Sequence, residues 1–238
     1  MPLPSLSPAL DPSPPAEVFA AWREARRAAD RLSLEAPPAS RPLRTTGFLA
    51  PRLAERIADW FTTGRPSAPA GAVRASYRAL ERETARLAGV VRRARSDGGL
   101  GVRVRYVHTD DDPYDSAAEL CAELRRHRSM TLRTIACDAP HPLLGGREGG
   151  VVDQLRVVHD VFGHAALGVG FDLQSEFATW LRCRTLFSAA ARPAAFCELV
   201  GAVTAYVMTG AKPALRADVP PAELVAACAA EATFTPRG

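Results

Sequence analysis

Residues 151–171 read VVDQLRVVHDVFGHAALGVGF, and within them HDVFGH (159–164) places two of the chain's five histidines five positions apart around a Phe-Gly pair. Val151, Leu155, Val158 and Phe162 recur at helical spacing, so the segment reads as a helix with one apolar face. Five residues of a regular α-helix rotate a side chain by about 140° net, which splays the two rings rather than stacking them on one face. The rings converge only if the helix ends, or widens into a π-turn, at Gly163, where the missing Cβ lets the backbone relax. A histidine pair meeting there suits a metal with several free coordination positions, provided a carboxylate joins it.

Outward from this stretch the pattern is mostly helical. Residues 50–63 carry Leu53, Ile57, Trp60 and Phe61 at helical spacing, with Pro51 near the first turn. Residues 71–95 form the longest stripe, Val73, Tyr77, Leu80, Thr84, Leu87 and Val91, which reads as a core-facing helix. VRVRYVHT (102–109) alternates valine with arginine, the period of a half-buried strand, and MTLRTIA (130–136) reads as a second. A helix over 115–128 between them makes a small β-α-β element. Helices are expected over 151–164, 172–188, 192–209 and 221–232, and over 16–35 behind a proline-rich, disordered lead-in (1–15). The expected architecture is mainly α with a small β-sheet (α+β), a single domain over 16–238.

Composition narrows the function classes. The net charge of +4 comes from 29 Arg and one Lys dispersed among 26 acids, without a concentrated basic stripe, so no nucleic-acid partner is expected. No run approaches the length of apolar chain that spans a membrane. Five cysteines, odd in number and without a C-x-x-C pair, fit a reducing cytoplasm.

HDVFGH resembles the iron-binding H-[DE]-x-[FL]-G-H of the pterin-dependent aromatic amino-acid hydroxylases, over about residues 140–201. In that likeness HPLL (141–144) stands where the family has a histidine ahead of the motif, and FCELVGA (196–202) is similar to the segment with the family's iron-binding glutamate. The resemblance implies a helical core holding Fe(II) through His159, His164 and Glu198, with Asp160 and His141 near the chemistry. It also implies O2 as co-substrate, a small-molecule substrate such as an aromatic amino acid or a derivative, and tetrahydropterin as a candidate reductant. The chain departs from the family ahead of the first histidine, where GVVDQLR replaces Pro-Glu-Pro-Asp, and after the second, where AALGVGF lacks the proline.

A second resemblance, to phage and actinobacterial proteins of unassigned role, spans DPYDS, HPLL, HDVFGH and GVGFDLQSEFATW (112–180) and singles out Glu176 as the carboxylate. Both acids therefore stand as candidate third ligands, and both together would imply two metals.

The leading expectation is a non-haem iron oxygenase of the two-His-one-carboxylate type, a monooxygenase. One alternative is a metal-dependent phosphohydrolase using His141, His159, Asp160 and Asp172; the other is a helical binding protein without chemistry. The acidic run 110–115 is expected to serve turns and a helix start. Phe171, Phe177 and Trp180 are expected in the core, and His108 and His127 have no assigned role.

Overall fold

The computed structural model describes residues 44–47, 49–167 and 169–235; the expected lead-in and first helix lie outside them. The described chain is mainly helical with a small parallel sheet. Helix α1 (Pro51–Thr63) begins with proline at its first turn and closes on Gly64 in the left-handed region, so its start and stop follow from two residue types. Its face of Leu53, Ile57, Trp60 and Phe61 is buried. Helix α2 (Ala70–Arg92) buries the stripe expected of it, from Val73 to Val91.

Strands β2 (Arg103–Val107) and β3 (Ser129–Arg133) pair in parallel, in register from Arg103 opposite Ser129 to Val107 opposite Arg133, with α3 (Ala117–His127) as the crossover. Ser116, rather than one of the preceding aspartates, caps α3 by accepting from the Glu119 amide. A second two-stranded ribbon was not expected. β1 (Arg44–Gly47) and β4 (Ala232–Thr235) run antiparallel, and β4 takes residues from beyond helix α8 (Ala222–Ala230), which ends two residues earlier than its composition suggests.

Helix α4 (Val151–His159) runs without a break into a π-helix over Asp160–Ala165, and α5 (Leu173–Cys183) packs against that widened segment. Helix α6 (Arg192–Phe196) passes through a second π-helical turn, Cys197–Gly201, into α7 (Ala202–Thr209). Phe177, Trp180 and Phe196 fill the space between these layers, Trp180 meeting Phe196 edge to face at 5.0 Å. Each fully buried aromatic of this kind contributes about 2–3 kcal/mol of transfer free energy.

Polar groups inside the fold are placed to hold α4 and α5. Asp153, wholly buried in the first turn of α4, accepts from the Thr134 hydroxyl and from the amides of Ile135 and Gly149 at 2.7–2.9 Å. That carboxylate ties the end of β3 and the preceding loop to the helix bearing His159. Asp172 caps α5, accepting from the amides of Gln174 and Ser175 and from the Ser175 hydroxyl. The buried Gln174 amide then clamps Leu49, accepting from its N–H at 2.8 Å and donating to its carbonyl at 3.1 Å.

At the sheet's edge Arg133 donates to Asp138 at 2.7 Å, and Lys212 donates to the other carboxylate oxygen at 2.8 Å. The Arg133 hydrogen bond, opposed by burial and reinforced by Lys212, holds the Asp138 carboxyl well below the usual carboxylate range. A depressed value means that the contact stabilises the fold above about pH 4, where an unfolded aspartate is ionised, and that this contribution is lost as the pH falls toward the folded value. The melting temperature of Asp138→Asn is expected to lie about 3 °C below wild type at neutral pH, with the gap narrowing steadily as the pH falls below about 4. A gap that is constant across an acid titration followed by circular dichroism would remove Asp138 from this account.

Candidate metal centre

His159 is the last residue of α4, His164 is the fifth residue of the π-helix, and Glu176 lies in the first turn of α5. Widening the turn cancels much of the rotation that a regular helix would put between positions 159 and 164. The two imidazoles come to 4.6 Å between centroids at an interplanar angle of 82°. Nε2 of His159 is 3.2 Å from one Glu176 oxygen and Nε2 of His164 is 3.3 Å from the other. One ligand atom from each of the three side chains can be chosen so that all lie within 4.8 Å of one another, and no other such group of three occurs among the described residues.

The site is almost closed to solvent: the side chains of His159, His164 and Glu176 are 11%, 1% and 13% exposed. Even so, Nε2 of His159 is buried without a hydrogen-bond partner, because its geometry toward the nearby carboxylate does not make a bond. Buried polar atoms are seldom left in that condition. Two nitrogens and a carboxylate drawn together without bonding one another are disposed as ligands of a shared cation would be. The donor chemistry, two imidazoles and one carboxylate, fits a divalent transition metal.

The site is electrostatically polarised. Burial alone would lower the His159 pKa, but the Glu176 and Asp160 carboxylates outweigh it and push the value well above the usual histidine range. Burial would raise Glu176, and the two imidazoles instead hold it below the ordinary carboxylate value. Asp160 Oδ1 stands 3.4 Å from Nδ1 of His159, the nitrogen turned away from Glu176, where it can fix the tautomer that leaves Nε2 free to ligate.

Glu198 is not in this group. Its carboxylate accepts from the Tyr77 hydroxyl at 2.5 Å and lies 3.1 Å from Nε2 of His141. Nδ1 of His141 accepts from the amides of Leu143 and Leu144, so the ring proton is on Nε2 and points to Glu198 and the Arg216 carbonyl. Burial, then the charge of Glu198, raises Tyr77 well above the ordinary phenol value and keeps it a neutral donor. This second polar cluster fastens α2, the 141–145 loop and the second π-turn together. Sequence periodicity marked Tyr77 only as part of a core stripe, because position on a helix face says nothing about where a phenol oxygen goes.

The four residues of the phosphohydrolase alternative are not assembled: Asp172 has both oxygens committed to the start of α5, and His141 is held at Glu198. Phe177 and Trp180 are core residues, as their pattern suggests. Phe171 is not; it is 39% exposed and its ring stands 4.8 Å from that of His164. No described helix is long and apolar enough to cross a membrane. No protein-family model, curated protein or solved structure matches the chain.

Proposed function

We propose that the chain is a mononuclear non-haem iron(II) enzyme that uses O2 to oxidise a small molecule. The observation that supports this most directly is the convergence of His159, His164 and Glu176 across the π-turn, with Nε2 of His159 buried and unbonded. Iron held by these three residues would supply one-electron chemistry toward O2.

The protein's own groups would do the rest. His159 and His164 bind through Nε2, Glu176 supplies the anionic donor, and Asp160 keeps the proton of His159 on Nδ1. Valine, phenylalanine and alanine side chains packed around the π-helix keep bulk water from the ligands. Phe171, partly exposed, stands beside His164 on the solvent side of the ligands. The motif resemblance favours an aromatic amino acid or a derivative as substrate, with tetrahydropterin as reductant. The three-ligand set on this chain uses Glu176 where that family's likeness points to Glu198.

The test is anaerobic loading of the purified chain with Fe(II), followed by exposure to O2 in the presence of a reductant. One iron per chain and O2 consumption above that of free iron are expected. Iron bound with no O2 consumption under any reductant including tetrahydropterin would overturn the oxygenase reading.

A further inference from the structure

A separate cluster lies at the carboxyl ends of the two parallel strands. His108 follows β2 directly, and Cys137 closes the short 3-10 turn Ile135–Cys137 that follows β3. The ladder continues through the Thr134 amide donating to the Val107 carbonyl, which brings these two ends side by side. Glu148 comes from the loop ahead of α4, a loop pinned by Asp153 accepting from the next residue's amide. The Cys137 sulfur is 3.7 Å from Nδ1 of His108, and Nε2 of His108 is 2.6 Å from Glu148 Oε2.

The order of these contacts fixes the proton positions. A carboxylate only accepts, so Nε2 of His108 carries the ring proton and Nδ1 is the acceptor facing the thiol. A nucleophile, a base within reach of its proton and a third group orienting the base make up the arrangement that activates cysteines for attack. Here all three are accessible: Cys137 is exposed, and the His108 and Glu148 side chains are 61% and 47% exposed. Arg133 and Lys212 add positive charge on the same side, offset by Asp138 and Asp110.

The other four cysteines are buried. Burial pushes Cys183, Cys197 and Cys228 up to about 12, so they resist becoming thiolates.

We propose that Cys137, with His108 as base and Glu148 as the group that orients it, is a thiol-disulfide exchange site that takes low-molecular-weight disulfides. His108 Nδ1 accepts the thiol proton as the Cys137 sulfur attacks one sulfur of the incoming disulfide. A Cys137 mixed disulfide forms, the incoming disulfide bond breaks, and the departing sulfur leaves as a thiolate that recovers the proton from His108. Cys137 is oxidised and the departing half is reduced, so atoms and electrons balance without a further reactant. The site uses no residue of the metal centre and stands or falls independently of it.

The probes are dithiobis-nitrobenzoate, followed by release of its coloured thiolate, and glutathione disulfide, followed by the mass of the Cys137 peptide. Native protein is expected to show one fast equivalent, and Cys137→Ser to lose it. His108→Gly should slow that phase by roughly tenfold through loss of the base that accepts the thiol proton, and added imidazole should restore it. Glu148→Ala should slow it less, with Glu148→Asp recovering part of the rate. Because His108 and Glu148 are surface residues, thermal melts of these variants should overlay wild type. A fast phase that survives in Cys137→Ser, a wild-type rate in His108→Gly, or a slowed rate indifferent to imidazole would each overturn the proposal.

Discussion

Alanine at His164 or at Glu176 is expected to lower anaerobic Fe(II) affinity by two to three orders of magnitude, while Glu198→Ala leaves one iron per chain. The magnitude follows from four-ligand zinc sites, whose apparent binding free energies of roughly 10–16 kcal/mol put each ligand at about 2.5–4 kcal/mol. The contrast between the two glutamates follows from position. Glu176 is within 3.3 Å of both imidazoles, whereas Glu198 accepts from Tyr77 and faces the ring proton of His141. Removing Glu198 leaves the buried Tyr77 hydroxyl without its acceptor and the His141 ring N–H with the Arg216 carbonyl alone, so its cost should appear as lost thermal stability rather than lost metal. Asp160→Asn belongs between these cases, at about tenfold in affinity, because it acts through the tautomer of His159. Elemental analysis and isothermal titration on the four variants separate the outcomes. Iron lost from Glu198→Ala and kept in Glu176→Ala would reverse the ligand assignment.

How far the sequence can be read depends on whether a decision is local. The stripe from Val73 to Val91 and the alternation in 102–109 depend on nearest turns and pleats, and both elements appear where those patterns put them. The β1–β4 ribbon joins two four-residue runs, RTTG and ATFT, far apart in the chain and too short to show alternation, so nothing in either announces the pairing. The C-terminal run AELVAACAAEA favours helix by composition, but the β-forming Thr233, Phe234 and Thr235 take the chain into the ribbon instead.

At the metal centre, residue identity and spacing pointed to His159 and His164, and helical geometry alone required the helix either to end or to widen at Gly163; the chain widens. The choice between Glu176 and Glu198 could not follow from it. Both acids lie on helices among apolar neighbours, and only the packing of α5 against the π-helix distinguishes them. Phe171 escaped for a related reason: an aromatic beside a motif reads as core unless the exposure of its loop is known.

Gly163→Ala tests that packing directly, and is expected to cost about 3 kcal/mol and to take metal binding with it. A Cβ at this position would lie 2.0 Å from Cγ2 of Thr179, 3.2 Å from Cβ of Thr179 and 3.4 Å from the Cys183 sulfur, where carbon atoms need about 3.5–4.0 Å. Alanine is otherwise favoured over glycine inside a helix by about 1 kcal/mol, so the loss measured is net of that gain. Helix α5 cannot withdraw easily, since Asp172, the Gln174 clamp and Trp180 hold it from its first turn to its middle. The methyl group must therefore push the π-helix off α5 near the point where Glu176 meets the two histidines. A fall of roughly 8 °C in melting temperature is expected together with the loss of iron. Thr179→Ala should reverse most of both effects in the double variant, because it removes the clashing carbon and its hydroxyl has no hydrogen-bond partner to orphan. If Gly163→Ala alone melts with wild type and still binds iron, the two helices do not approach closely enough to set the ligand geometry.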